Sequence, residues 1–131
     1  MPSSPARRLV GTYDLGCRKV RLYALPGASG GTFDSGPDCG IAQIEVAIGF
    51  ELWSEVVVVL MHEAFEASCS ELSLRYRSSP DYSNSSGGWV FFMTHEQMSE
   101  AIARSGWFVA AALPALAKVF NAKGRREKKG S

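Results

Sequence analysis

Residues 51–77, ELWSEVVVVLMHEAFEASCSELSLRYR, decide the fold, because they lie within the longest stretch of the chain that has neither glycine nor proline. The four valines from Val56 to Val59 favour a strand locally. Ala64 to Ala67 continue the segment without a turn residue, so a helix is predicted from Glu51 to about Arg77. The acidic residue at its start suits the positive end of a helix dipole.

This predicted helix is apolar round most of its circumference at about 100° per residue, and we expect it to be buried on several sides. The exception is a narrow band that holds Glu55, His62, Glu66 and Cys69, with Glu63 to one side of it. Chemistry carried by this helix is therefore expected at that band.

Upstream of the helix, alternating apolar and polar residues predict short strands at Leu9–Leu15 and Cys17–Leu25, and a further strand at Ile41–Ile48. Residues 26–40 contain five glycines and two prolines, which predicts a loop. The segment before the first strand, residues 1–8, is predicted to be flexible.

Downstream, residues 78–88 predict a second loop and Trp89–Met93 a short strand. Thr94 is the predicted N-cap of a helix from His95 to about Phe120, since Gln97 completes a capping box. Gly106 and Pro114 are expected to break or bend that helix.

These elements predict an α+β fold with a small antiparallel or mixed sheet and two long helices. At 131 residues the chain suits one domain, placed at residues 9–120 and followed by a basic flexible tail at 121–131. Six of the last 14 residues are cationic and one is acidic, a net charge of +5. The tail is interpreted as a solvated terminus, with weak nucleic-acid contact as the sharper alternative.

The cysteine content and the apolar runs bear on the compartment. The three cysteines have no C-x-x-C spacing, which favours reduced thiols and a cytoplasmic location over a disulfide framework. The longest apolar run, Trp107–Ala117, is about half of what a bilayer requires. We therefore expect no membrane-spanning segment and no membrane partner.

His62 and Glu66 are neighbours on one helical face, so both side chains can reach one metal ion. A divalent cation would offset the cost of placing their charge in an apolar setting. Glu63, next to the histidine in sequence, is then placed to take a proton from a metal-bound water.

The five residues His62-Glu63-Ala64-Phe65-Glu66 resemble the H-E-x-x-H helix of the zincins, which are zinc metallopeptidases. The resemblance implies a minimal zincin-like fold, bound zinc, Glu63 as general base and a peptide or protein substrate. Glu66 departs from the motif, where a second histidine is usual. A third ligand from a later segment is implied, and His95 is the other histidine of the chain. The implied metal ligands are His62, Glu66 and His95.

A wider pattern over roughly residues 40–120 resembles small proteins encoded by bacteriophages, which would place the chain in a bacterial host cytoplasm but implies no activity. Several alternatives stay open. One alternative is that His62 and Glu66 only hydrogen-bond each other or face solvent and bind no metal. Another is that Cys69 serves as a metal ligand instead. The main functional alternative is a noncatalytic, phage-type binding protein that contacts a host partner, with a structural metal or none. The ligand set suits zinc and also manganese or iron, and the oligomeric state is open.

Overall fold

The structure is a computed structural model. It describes residues 7–16, 18–28, 30–34, 41–72, 75–77, 89–91 and 93–129, and side chains within 7–32, 41–72 and 93–123 of these. In chain order its elements are β1 (Arg8–Leu15), β2 (Arg18–Leu25), β3 (Gly31–Asp34), β4 (Ala42–Ala47), α1 (Trp53–Glu71), β5 (Arg75–Arg77), β6 (Trp89–Phe91) and α2 (His95–Lys129). The predicted loop at 78–88 and most of the N-terminal segment lie outside the described residues.

The main sheet has four strands in the order β1-β2-β4-β3. β2 and β4 run parallel at its centre, while β1 and β3 pair antiparallel at its two edges, so the sheet is mixed. β5 and β6 form a separate antiparallel pair. Four strands in a mixed sheet with two long helices confirm the predicted α+β class.

One face of the sheet is apolar because the two central strands alternate in phase. Val20, Leu22 and Ala24 of β2 are buried, and β4 places Ala42, Ile44 and Val46 beside them in register. Both helices pack on this face, α1 against β3 and β4 and α2 mainly against β1. The opposite face carries polar, partly exposed side chains, as expected for a sheet with one solvated side.

β3 lies inside the segment that was predicted to be a loop. Its four residues pair with β4, with Gly31 opposite Val46 and Thr32 opposite Glu45. Thr32 Oγ1 also donates to Glu45 Oε1 at 2.8 Å. The loop prediction for residues 26–40 was therefore wrong at this point, because pairing with a distant strand outweighed the local abundance of glycine.

α1 confirms the predicted helix but is shorter. It begins at Trp53, where Glu55 Oε2 accepts a hydrogen bond from the Leu52 amide at 3.2 Å, and it ends at Glu71. The predicted continuation to Arg77 was wrong, since Arg75–Arg77 form a strand that pairs with Trp89–Phe91.

α2 was predicted to break or bend at Gly106 and Pro114, and it is continuous through both, so a break at these residues was wrong. Its buried stripe consists of Ala101, Ser105, Phe108, Ala112 and Leu116. This stripe packs on both sides of Gly106 and Pro114, and that packing outweighs a local cost of about 1 kcal/mol for glycine and about 3 kcal/mol for proline.

The sequence predicted the start of α2 correctly, but the helix extends beyond its predicted end. The predicted cap at its start is confirmed, since the Thr94 amide donates to Gln97 Oε1 at 2.8 Å and the Gln97 amide donates to Thr94 Oγ1 at 3.2 Å. At the other end the helix continues to Lys129, so residues 121–129 of the predicted tail are helical.

The two helices lie antiparallel, as their contacts at both ends show. The rings of Trp53 and Phe120 are 5.5 Å apart at one end. Arg104 Nη1 lies 3.3 Å from Glu71 Oε1 at the other. Lys123 Nζ donates to the carbonyl oxygens of Ile48 and Phe50, both at 2.9 Å, and so fixes α2 to the segment that leads into α1.

By length and composition alone, the α2 segment His95–Lys123 is able to cross a membrane, contrary to the expectation that no segment could. Long core helices of soluble proteins meet the same criterion. The fully buried ring of Phe108 packs edge-on against Tyr13 of β1 with ring centroids 6.0 Å apart, so one side of this helix belongs to the domain core, and 22% of its most apolar 18-residue window is buried.

Candidate metal centre

The middle of α1 brings three potential metal donors together. His62 Nε2 lies 3.6 Å from Glu66 Oε2 and 4.0 Å from Glu63 Oε1. Ligand atoms of the three residues all lie within 4.8 Å of one another. Glu66 lies about one helical turn from both others, at i+4 from His62 and i+3 from Glu63, whereas the adjacent His62 and Glu63 approach each other through the orientation of their side chains.

The three side chains differ in their exposure to solvent. The Glu63 side chain is 8% exposed, that of Glu66 21% and that of His62 69%. Two carboxylates thus lie against the protein body, while the imidazole stands towards solvent. A cation held between them would be neutralised from the protein side and accessible to water from the other side.

A groove of about 390 Å³ opens beside the cluster, lined by Gly30, Gly31, Val58, Val59, His62 and Glu63. Gly31 keeps β3 close to α1. A Cβ atom at this position would lie 2.6 Å from the Glu45 carbonyl oxygen, 2.9 Å from Val59 Cγ1 and 3.2 Å from Glu63 Cγ. Only a glycine allows this close approach of strand and helix next to the buried carboxylate.

The structure places His95 far from the other predicted ligands. It is exposed at the first residue of α2, nine residues before Arg104, and His62 lies nine residues before Glu71. Because Arg104 meets Glu71 and the helices are antiparallel, these two distances add up to roughly 25 Å at 1.5 Å per residue. Among the described residues, the donor group consists of His62, Glu63 and Glu66, without His95.

The distances test which of the three groups suit direct coordination. Two donors that bind one zinc ion at about 2.1 Å in tetrahedral geometry lie roughly 3.4 Å apart. The 3.6 Å between His62 Nε2 and Glu66 Oε2 agrees with this value. The distance from His62 Nε2 to Glu63 Oε1 is 4.0 Å, so Glu63 is the more distant of the two carboxylates from the imidazole.

The other two residues of the polar band, Glu55 and Cys69, lie away from the donor group and contribute to the fold. Cys69 forms no disulfide within the described residues and is fully buried in a small cluster with Ala101 and partly buried Phe65, Leu72 and Met93. Glu55 caps the start of α1 through the Leu52 amide. Neither belongs to the donor group of His62, Glu63 and Glu66.

Sequence reasoning missed the wall of the site, which is formed by Gly30 and Gly31 at the start of β3. The available signal was Gly31-Thr32-Phe33, where two residues with high strand propensity follow a glycine pair. This strand signal was weaker than the loop signal of the five glycines in residues 26–40.

Comparisons with known proteins add no assignment, since no family model, no curated protein and no solved structure matches the chain. The resemblance to zincins therefore rests on the five residues of the motif alone.

Proposed function

We propose that the chain is a metal-dependent hydrolase of peptide or other acyl bonds, with its metal centre at His62 and Glu66 of α1. The observation that carries this proposal is the 3.6 Å between His62 Nε2 and Glu66 Oε2, next to a buried carboxylate and an open groove. Zinc suits a set of imidazole and carboxylate donors, and manganese or iron suits it as well.

The roles follow from the positions of the side chains. His62 and Glu66 would hold the ion, with the buried Glu63 carboxylate next to them. A divalent cation bound there would act as a Lewis acid and lower the pKa of a coordinated water. Glu63 accepts the proton of the attacking water and later gives it to the leaving group.

The groove walls support a role for Glu63 as base rather than as a purely structural carboxylate. Val58 and Val59 make the groove largely apolar next to the carboxylate. The carboxylate of Glu63 is 8% exposed and lines this groove, so it can reach a reacting group bound there. Gly31 forms the β3 side of this groove, where a Cβ atom would already approach Glu63 Cγ to 3.2 Å.

The test is Glu63→Gln, assayed for bound zinc by elemental analysis and for cleavage of a mixed fluorogenic peptide library. We expect zinc content to be unchanged and turnover to fall by about 100-fold or more, the contribution of a general base. Loss of zinc in Glu63→Gln would make Glu63 a ligand and remove the base from the mechanism. An unchanged rate with zinc present would also contradict the proposal.

A noncatalytic binding protein is the second candidate function, and one observation favours it. The outer surface of the helical layer exposes large apolar side chains, among them Val58, Met61, Ile102 and Trp107. Surfaces of this kind mark sites of association. A wild-type protein that binds zinc but cleaves no member of the peptide library would support this second function.

A further inference from the structure

The outer face of α2 is apolar around Trp107, although it faces solvent. Trp107 is 79% exposed at its centre, and the exposed residues Ala103, Gly106, Ala110 and Pro114 surround the indole. No charged residue occurs between Ser105 and Ala117. A solvent-facing helix surface normally carries charges, so this surface is suited to being covered.

Charges of opposite sign flank this apolar centre. Glu96 lies eleven residues before Trp107 and Lys118 eleven residues after it, and both are exposed. Eleven residues correspond to about three turns, so all three side chains lie along one line of the helix. Within the described part of the chain, neither Glu96 nor Lys118 takes part in an ion pair.

We propose that this face binds a second copy of the chain, with the two α2 helices antiparallel and a twofold axis close to Trp107. In this arrangement Glu96 of each copy lies opposite Lys118 of the other. Glu100, which also lies on this line, is paired with Arg104 of its own helix at 3.0 Å, so Glu96 and Lys118 supply the charge complementarity that an isologous interface requires. A parallel arrangement would instead place like charges opposite each other.

The shape of the surface fits the same arrangement. Ala103, Gly106 and Ala110 form a depression of about 300 Å³ beside the Trp107 ring. With the axis near Trp107, the indole of each copy lies over the small residues of the other. Burial of an aromatic side chain among small residues at the centre of an interface is typical of a binding hot spot.

A lipid surface fits the same face less well. The helix is long and apolar enough to span a bilayer, but its Phe108 side is buried against the domain and is not available to lipid. For a helix that lies flat on an anionic membrane, Glu96 and Glu100 on the line of Trp107 would be repelled. A second copy of the chain instead contacts both ends of the face favourably, because its Lys118 lies opposite Glu96 and its Glu96 lies opposite Lys118.

The experiment measures the dimer dissociation constant by sedimentation equilibrium over the micromolar range. The full chain is compared with Trp107→Ala, Glu96→Lys, Lys118→Glu and the double variant Glu96→Lys/Lys118→Glu. We expect a wild-type dimer, and an increase of about 30-fold or more in the dissociation constant for Trp107→Ala. Each charge reversal should raise it by about tenfold, and the double variant should restore the wild-type value because the pairs reform with exchanged signs.

Leu9→Ala is the matched control, since Leu9 is also an exposed apolar residue but lies on β1. Its dissociation constant should equal that of the wild type, and all variants should keep the wild-type circular dichroism spectrum. A wild-type monomer throughout the range, or a double variant no tighter than the single reversals, would overturn the proposal. So would a monomer that sediments with phosphatidylserine vesicles through Trp107.

Discussion

The two helices pack on the same face of one sheet, yet their outer surfaces differ in chemistry. α1 turns His62, Glu63 and Glu66 towards β3, where polar donors meet a groove. α2 turns Trp107 and small residues towards solvent, with charges only at the ends of that line. Both helices bury mainly apolar residues on their inner sides. On α1 the buried side also includes Glu63, so the candidate site reaches into the packed face, whereas the Trp107 surface of α2 does not.

This difference indicates that substitutions on the inner surfaces should change stability and those on the outer surfaces should change binding. Leu60 on α1 and Phe108 on α2 are both fully buried, while His62 and Trp107 are mainly exposed. A substitution at a position that is buried, closely packed or hydrogen-bonded should therefore cost more stability than the same kind of substitution at an exposed position.

The largest effect is expected for Phe108→Ala, which removes a fully buried ring packed edge-on against Tyr13. Truncation of such a ring costs about 3–5 kcal/mol of the free energy of unfolding. Urea denaturation measures this loss. Met98→Ala on the exposed side of α2 is the control, and we expect a change within about 0.5 kcal/mol. Equal effects of the two substitutions would show that the inner surface of α2 is not part of the core.

Gly31→Ala should have the next largest effect, because its methyl group would approach the Glu45 carbonyl oxygen to 2.6 Å. Moving β3 away from α1 should lower the free energy of unfolding by about 1–3 kcal/mol. Gly27 has no atom within 4 Å of a Cβ built on it, so Gly27→Ala should be nearly neutral in the same denaturation experiment. A neutral Gly31→Ala would mean that strand and helix are not in close contact beside Glu63.

A smaller effect is expected for Thr94→Ala at the start of α2. The substitution removes the hydroxyl that accepts the Gln97 amide hydrogen bond and should cost about 1 kcal/mol. Thr94→Ser keeps the hydroxyl and should differ from the wild type by a few tenths of a kcal/mol. Thermal unfolding of the three proteins distinguishes these values, and an unchanged midpoint for Thr94→Ala would contradict the cap.

Much of the fold could be predicted because its signals are local. The alternation of Val20, Leu22 and Ala24 predicted β2, and the spacing of Thr94 and Gln97 predicted the start of α2. The errors arose where distant contacts decide the conformation. β3 depends on pairing with β4, and α2 passes through Pro114 because buried residues lie on both sides of it. Neither contact is visible in a local window.

The candidate site was predictable in part for the same reason. His62, Glu63 and Glu66 lie on one turn of a helix, so their proximity follows from helical geometry alone. The choice of His95 required knowledge of how α2 packs against α1. Antiparallel packing with Arg104 next to Glu71 moves the start of α2 away from the site, and only the tertiary structure reveals this.

The most direct test of the metal centre compares zinc binding by the two histidine variants. Equilibrium dialysis followed by elemental analysis should find one ion per chain in the wild type and in His95→Ala, and none in His62→Ala. Circular dichroism checks that all three proteins are folded. Zinc retained by His62→Ala, or a wild-type chain that binds no zinc, would contradict a metal centre on α1.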